Sequence, residues 1–340
     1  MNFTVWKFLK VFLPLTSRVP YNQSSKTKAL VTTQWTLDTM SNLLAFIKLF
    51  SHFRSHIPPK ATWSTAQIPD LSGKVMIVTG GNTGIGKDTI EALLEHNAKV
   101  YMASRNSEKA MAAIEDLKTK TGKEALFLKL DLADLKSVKA AAEEFMSKEK
   151  ELHVLFNNGG VMFCPMEMVT AQGYDLQFGT NVLAKTTATP VRVVNTSSVT
   201  HVMFRKLDFN SFKDGPTRKK LGKYLLYGQS KFGNIVFSNE LVRRYGEKGI
   251  ASTSLHPGDL KTELNRHSPI ESFINFFLYP SKMGALTQLW AGTAPEPEGK
   301  ELSGKYLVPW ARLGAPVRAA EDEKLGKELW EWCEEQVKDF

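Results

Sequence analysis

Cysteine is nearly absent from this chain: Cys164 and Cys333 are the only two in 340 residues. Neither lies in a C-x-x-C or other metal-ligand spacing, so the sequence offers no disulfide framework and no cysteine-based metal centre, and no metal is expected. Two lone thiols fit a reducing compartment. Long apolar runs are lacking as well. Met1–Leu15 is apolar but too short to cross a bilayer. Lys7 and Lys10 interrupt it where a secretory leader would be uniformly apolar. No internal repeat and no low-complexity tract appears, which excludes solenoids and linker-like chains. The net charge is +9, yet the basic residues are scattered. Their one short cluster, Arg218-Lys219-Lys220, accompanies no nucleic-acid motif and reads as a solvated loop. No nucleic-acid partner is expected. A phosphate-bearing cofactor or an anionic membrane surface remains compatible with the charge.

A hydrophobic content of 42% is enough for a real core. Residues 1–70 differ in texture from the rest and read as an N-terminal extension, with one domain over 71–340. Within the extension, Leu43, Phe46, Ile47, Phe50 and Phe53 fall near helical spacing, with Lys48, His52 and Arg54 interspersed. Such a stretch lies on a membrane surface, packs on the domain or forms a loose arm. The chain is accordingly expected in the cytoplasm or associated with a membrane. Met40 precedes the stretch, so residues 1–39 are open to question as part of the mature protein.

From Lys74 onward the pattern is regular. Short β-branched runs at Val75–Val78, Lys99–Ala103, Leu126–Leu130 and His153–Phe156 alternate with helical patterns at Gly84–His96, Ser107–Lys120 and Leu135–Lys148. Alternation of this kind builds βαβ units and hence a parallel α/β sheet. Thr79-Gly80-Gly81-Asn82-Thr83-Gly84-Ile85-Gly86 bridges the first strand and the first helix. Glycines there let backbone approach a pyrophosphate, and the helix N-terminus supplies unpaired N–H groups and a partial positive charge. Sites that prefer NAD place a carboxylate at the end of the second strand. This strand instead ends Ala103-Ser104-Arg105-Asn106. A guanidinium at 105 suits a 2′-phosphate, with Lys109 one turn later adding charge, so NADP(H) is expected over NAD(H).

Farther on, Tyr227-Gly228-Gln229-Ser230-Lys231 puts a phenol and an ammonium at i and i+4, on one helix face. A phenol titrating near 10 is a poor acid–base group at neutral pH, and a neighbouring ammonium, together with a positively charged nicotinamide ring, is expected to lower that value. Val193-Val194-Asn195-Thr196-Ser197-Ser198 reads as a fifth strand with Ser198 at its carboxyl end, where open α/β sheets bind ligands.

Together these motifs, in this order over about residues 72–310, resemble the short-chain dehydrogenases/reductases, closest to retinol-dehydrogenase-like and WW-domain-oxidoreductase-like members. The family's loop has the TGxxxGxG form, met here by Gly80, Gly84 and Gly86. The resemblance implies a Rossmann-type doubly wound parallel sheet and reversible hydride transfer between NADP(H) and a lipophilic alcohol/carbonyl pair. It implies that Ser198 bonds the substrate oxygen, Tyr227 exchanges the proton, and Lys231 tunes Tyr227 and holds the nicotinamide ribose. Asn181 would anchor a proton-relay water. On the cofactor side it implies Gly80, Asn82, Thr83, Gly84, Ile85 and Gly86 at the phosphates, and Asp131 and Leu132 at the adenine. Asn157 and Gly159 come from Asn157-Asn158-Gly159-Gly160, where the family has NNAG. Pro257, Gly258, Leu260 and Thr262, in His256–Glu263, match the segment beside the nicotinamide carboxamide. A substrate lid over Ser268–Trp290 or an ordinary core helix, and a homodimer, are further expectations.

One departure stands out. Only nine residues, Val182–Pro190, separate Asn181 from a strand starting at Val191, and Pro190 breaks a helix. Extended, nine residues reach ~30 Å; as helix they advance only ~14 Å. A packed crossover helix is therefore expected to be shortened or missing, leaving ~400 Å² of apolar sheet uncovered, about 10 kcal/mol of forgone burial. The alternative reading is thus a catalytically impaired cofactor-binding Rossmann protein or truncated isoform.

Overall fold

A computed structural model describes residues 58–184, 192–262, 278–296 and 298–340. The amphipathic stretch at 43–53 and the questioned residues 1–39 lie outside them, as does 268–277 of the expected lid. Three βαβ units open the fold: β1 (Val75–Thr79), α1 (Gly84–Glu95), β2 (Lys99–Ser104), α2 (Ser107–Thr121), β3 (Leu126–Lys129), α3 (Leu135–Lys148) and β4 (Val154–Asn157). Local chemistry sets these boundaries. The Asn106 side chain accepts the Lys109 N–H at 2.8 Å to start α2, and Gly122, at φ 71°, ends it. Asp134 accepts the Lys136 N–H at 3.1 Å to start α3. Trp63 and Ile68, in the stretch read as extension, pack with Leu71 into the main core.

The sheet has eight strands in the order β3-β2-β1-β4-β5-β6-β7-β8, with β5 Arg192–Thr196, β6 Ala251–Leu255, β7 Tyr306–Val308 and β8 Arg312–Gly314. Every pairing is parallel until β8, which lies antiparallel on β7. Order reverses between β1 and β4, the switch point of a Rossmann-type sheet, and the carboxyl ends of the strands there form its ligand crevice. The last two strands were not foreseen, because three residues each are too few to show a period. One sheet face buries Met76, Val78, Phe156 and Val194 under α1, α2 and α6 (Ser281–Thr293). Over its described part, then, the expected lid segment includes a core helix, with Ala285 and Leu289 buried.

On the other face, α4 (Leu176–Phe178) runs into a π-helical turn (Gly179–Leu183). These eight residues are the described helix before β5, so the crossover is short, as expected; residues 185–191 are not described. β5 nevertheless keeps full parallel register with β4 and β6. The bare apolar face is not found among the described residues: Leu155 and Val193, which face this side, are 1% and 4% exposed. Leu155 packs in the cluster that holds Phe145 of α3. Val193 packs with Phe232 and Val236 of α5 (Pro216–Tyr245). The C-terminal helix α7 (Glu323–Val337) closes over the stub: Trp332, Cys333 and Val337 pack against Leu135, Tyr174 and Leu183. The Trp332 ring meets Phe212 at 5.0 Å, Phe178 at 5.7 Å and Tyr174 at 5.9 Å.

Arg218 also departs from the sequence reading. It is not part of a solvated loop but 1% exposed. Its guanidinium pairs with Asp175 at 2.9 Å and Asp214 at 3.0 Å, and donates to the carbonyls of Met166 (2.6 Å) and Met168 (2.9 Å). Lys219 and Lys220 are exposed, as expected. A basic cluster in sequence gives no sign that one forked cation will find four acceptors, among them the buried Asp175.

If α7 stabilises the shortened crossover, Trp332→Ala should cost ~2–4 kcal/mol, as for a large aromatic cut from a cluster. The exposed Glu331→Ala should stay within ~0.5 kcal/mol. Urea midpoints of the two variants check this; equal midpoints would show that Trp332 is not a keystone of the crossover.

Candidate active site

At the switch point, backbone meets backbone. Gly80 has φ 64°, and a Cβ there would sit 2.9 Å from Cα of Gly159. A Cβ on Gly86 would collide with the Gly80 carbonyl. Gly84 has φ 52°, in the left-handed region that favours glycine. Thr79 Oγ1 donates to the Phe156 carbonyl at 3.1 Å and accepts the Gly159 N–H at 2.8 Å, stitching β1 to β4. At Gly159, a methyl group would lie 2.8 Å from Cδ1 of Leu132 and 3.2 Å from the Gly80 nitrogen, so the missing Cβ permits the close approach. Thr83 is the N-cap of α1, but its side chain makes no cap hydrogen bond, and the first turn carries no acid. Asn82 is half-buried beside it, and Ile85 packs on the core. An uncapped helix start behind a glycine cradle fits the pyrophosphate of a dinucleotide.

Arg105 and Lys109 are both exposed, just past β2. The end of β2 is tied to the glycine loop, because the Gly80 N–H donates to the Ala103 carbonyl at 2.8 Å. Asp131 turns inward on its own loop: its carboxylate accepts the Ala133 N–H at 2.9 Å. Leu132, Asn157, Gly159, Thr180 and Asn181 line a cleft with Thr79. Across the crevice, Pro257 is buried and Leu260 bridges to Tyr279. Gly258, at φ 100°, lies against Trp310, which leaves 2.8 Å for a Cβ. Cγ2 of Thr262 stands 3.4 Å from where a Cβ on Gly84 would be. The structure therefore brings the glycine loop and the segment after β6 to opposite walls of one crevice.

The chemical end lies beyond β5. The two serines there separate cleanly. Ser197 is buried and donates to the Lys231 carbonyl at 2.6 Å, whereas the Ser198 side chain accepts the Thr200 N–H at 3.3 Å and lies close enough to Tyr227 to act on its phenol. Tyr227 and Lys231 share α5, downstream of a break at Gly222 (φ 70°, ψ 164°) that realigns the helix. Lys231 Nζ stands 5.6 Å from the Tyr227 ring centroid and donates to the Thr196 carbonyl at 3.0 Å. Asn181 occupies the π-helical turn, a geometry frequent at functional sites. Its Oδ1 accepts the Val161 N–H at 2.9 Å, and its Nδ2 donates to the Val161 carbonyl and to Ser230 Oγ. The amide thus clamps the loop after β4. A Cβ on Gly160 would meet Asn181 Oδ1 at 2.8 Å and Lys231 Nζ at 3.5 Å, which shows how closely the three converge.

Burial controls the charges here. Burial pushes the Tyr227 phenol well above its ordinary value; the Ser198 hydrogen bond pulls it down and nearby Asp259 pushes it up again. In the protein alone desolvation of the phenolate dominates, and the Lys231 ammonium bonds the Thr196 carbonyl. Burial likewise depresses Lys231 to about 8. Sequence reasoning missed the polar ladder beneath the site. Asn157 donates to Asn195 at 3.1 Å, Asn195 to Ser252 at 3.1 Å, and Ser252 pairs with Ser238 at 2.8 Å. His201 was missed too; its Nδ1 lies 2.7 Å from the Ser198 carbonyl. Alternation on a strand flags apolar faces but is silent on buried asparagines and serines.

A lysine held at about 8 in the folded chain and near 10.5 in the unfolded one destabilises the fold while charged, by about 3 kcal/mol. The unfolded chain alone keeps the proton between about pH 8 and 10.5, so this penalty is complete below pH 8 and relaxes as pH rises through that window. Lys231→Met should therefore raise Tm, most at pH 7 and least near pH 10. An unchanged or lower Tm at pH 7 would contradict the burial penalty.

The sequence profile described as short chain dehydrogenase matches residues 74–203. A short-chain dehydrogenase/reductase of Armillaria gallica is 56% identical over 300 residues, covering 83% of this chain and 96% of that one. Human retinol dehydrogenase 11 is 37% identical over 289 residues, covering 79% and 86%. Among solved structures, a short chain dehydrogenase of Shigella flexneri complexed with NADP superposes with a TM-score of 0.55 at 20% identity, over 71% of this chain and 98% of that one. With this fold, this crevice and these relatives, the chain belongs to the short-chain dehydrogenase/reductase family of oxidoreductases.

Proposed function

We propose that the protein interconverts a lipophilic alcohol and its carbonyl, with NADP(H) as cofactor. The observation that carries this reading is the juxtaposition, at the carboxyl end of β5, of the Ser198 side chain and the Tyr227 phenol, with Lys231 Nζ 5.6 Å from the centroid of the same ring. A bound nicotinamide would supply or accept the hydride. Within the chain, Ser198 Oγ holds the substrate oxygen and Tyr227 exchanges its proton with it. A phenol kept neutral by burial is ready to donate to a carbonyl oxygen as that oxygen gains charge. The Lys231 ammonium offsets the phenolate left behind and reaches the cofactor ribose. Asn181 fixes the loop after β4 beside this site and serves as anchor for the proton relay.

Several features support the finer points. The glycine cradle and the uncapped start of α1 suit Gly80, Asn82, Thr83, Gly84, Ile85 and Gly86 to the phosphates. Arg105, exposed at the end of β2 with Lys109 beyond it, suits a 2′-phosphate, and no acid stands there to bond a free 2′-hydroxyl. Asp131, Leu132, Asn157 and Gly159 would flank adenine and ribose, and Pro257, Gly258, Leu260 and Thr262 the carboxamide. The similarity to retinol dehydrogenase 11, by its name, favours a lipophilic substrate.

Tyr227→Phe should reduce turnover to below a few per cent of wild type while NADPH binding, read by fluorescence titration, stays within about 3-fold. Substantial residual turnover would remove Tyr227 as the acid–base group. Arg105→Ala should weaken NADPH by about 10- to 100-fold, the worth of one charge-assisted contact, and leave NADH nearly unchanged. An unaltered NADPH/NADH preference in that variant would reject the 2′-phosphate assignment.

A further inference from the structure

The loop after β4 carries a phenylalanine in a conformation that bulky side chains avoid. Phe163 has φ 53°. Such a backbone persists only when its surroundings fix it, and here they do so on several sides. The Phe163 N–H donates to Gln177 Oε1 at 2.8 Å, and Gln177 Nε2 donates to the Lys223 carbonyl at 2.9 Å. Gln177 is 1% exposed, so one buried amide sets the distance between the loop and the start of the Tyr227 helix. Upstream, Asn181 grips Val161; downstream, Arg218 grips the carbonyls of Met166 and Met168.

What this scaffold holds in place is a ring. Phe163 stands edge-on to Tyr227, with centroids 5.2 Å apart and planes at 73°. It also stands edge-on to Tyr224, at 4.7 Å and 64°. Tyr224 precedes Tyr227 by three residues, so the two share a helix face. Exposure rises along this row, from 4% at Tyr227, through a half-buried Phe163, to 47% at Tyr224. The three rings make a continuous aromatic surface that leads from the reacting hydroxyl outward to solvent.

We propose that Phe163 and Tyr224 form the subsite for the substrate body, and that this subsite selects alcohols and carbonyls whose reacting carbon is attached to a planar aromatic or conjugated group. The proposal rests on the alcohol/carbonyl reading of Tyr227 above. A substrate oxygen held at Tyr227 can extend its body along this rigid, pre-positioned wall. Flat π-systems gain edge-to-face contact there that a flexible alkyl chain does not match, and they lose less conformational freedom on binding.

The test compares an aryl-conjugated aldehyde with a linear saturated aldehyde of equal carbon number, using full-length protein and NADPH. Glycine accepts φ 53° without strain, so Phe163→Gly removes the ring while easing the backbone, and Tyr224→Ala removes the outer ring at an exposed position. Each variant should lower kcat/KM for the conjugated aldehyde by about 10-fold, mainly through KM, while the linear aldehyde changes by less than about 3-fold. Phe163→Tyr should restore the preference, and NADPH affinity should not move. Equal losses on both aldehydes, or an unchanged ratio in both variants, would overturn the subsite and leave the oxidoreductase reading standing. A wild type that binds NADPH but reduces neither aldehyde would overturn that reading and this subsite with it.

Discussion

The structure depends on how closely two strands approach at their carboxyl ends. β1 and β4 are neighbours at the point where the sheet order reverses, and Gly80 and Gly159 meet there with no space for a side chain. Thr79 Oγ1 bridges the two strands, accepting from one residue of β4's loop and donating to a carbonyl of β4 itself. That contact fixes where α1 begins, and so where its free N–H groups point. It also fixes where the chain leaves β4, which sets the positions of Val161, Phe163 and Asn181. Both the glycine loop and the loop that carries Phe163 are hung from one backbone junction.

Around that junction the molecule accepts local costs. Lys231 is buried while still charged at neutral pH, burial disfavours the phenolate of Tyr227, and Phe163 adopts a backbone conformation that its side chain disfavours. Two of them are held by groups that are themselves buried: Thr196 for Lys231 and Gln177 for Phe163. Preorganisation of this kind places stability elsewhere, in the two apolar layers that sandwich the sheet. The shortened crossover is accommodated in the same way. Its helical stub is too small to cover much of the sheet, and the C-terminal helix, far away in sequence, closes over it with Trp332.

Much of the site was legible before the fold was known, because glycine spacing, strand alternation and the i, i+4 pair of Tyr227 and Lys231 are short-range properties. The turn that glycines permit and the face that i and i+4 share follow from backbone geometry alone. Arg105 was legible for a similar reason: its place one residue past a strand fixes which edge of the crevice it occupies. The charge state of Tyr227 was not, since pairing with Lys231 suggested a lowered phenol and burial raised it instead. Sequence spacing reports which groups are near one another but not how much water they lose.

By itself, then, the sequence determined the class of fold, the order of the βαβ units and the identity of the candidate groups, all set by local periodicity and turn chemistry. Only the tertiary structure decided which of Ser197 and Ser198 faces Tyr227, that Arg218 is an internal clamp rather than a surface charge, and that Phe163 stands beside the site. It also decided that α7 covers the shortened crossover. These outcomes turn on contacts between residues far apart in the chain: 43 positions for Arg218 and Asp175, 46 for Gln177 and Lys223. Such contacts are chosen by the free energy of packing and desolvation in the assembled core, a quantity that no window of sequence contains.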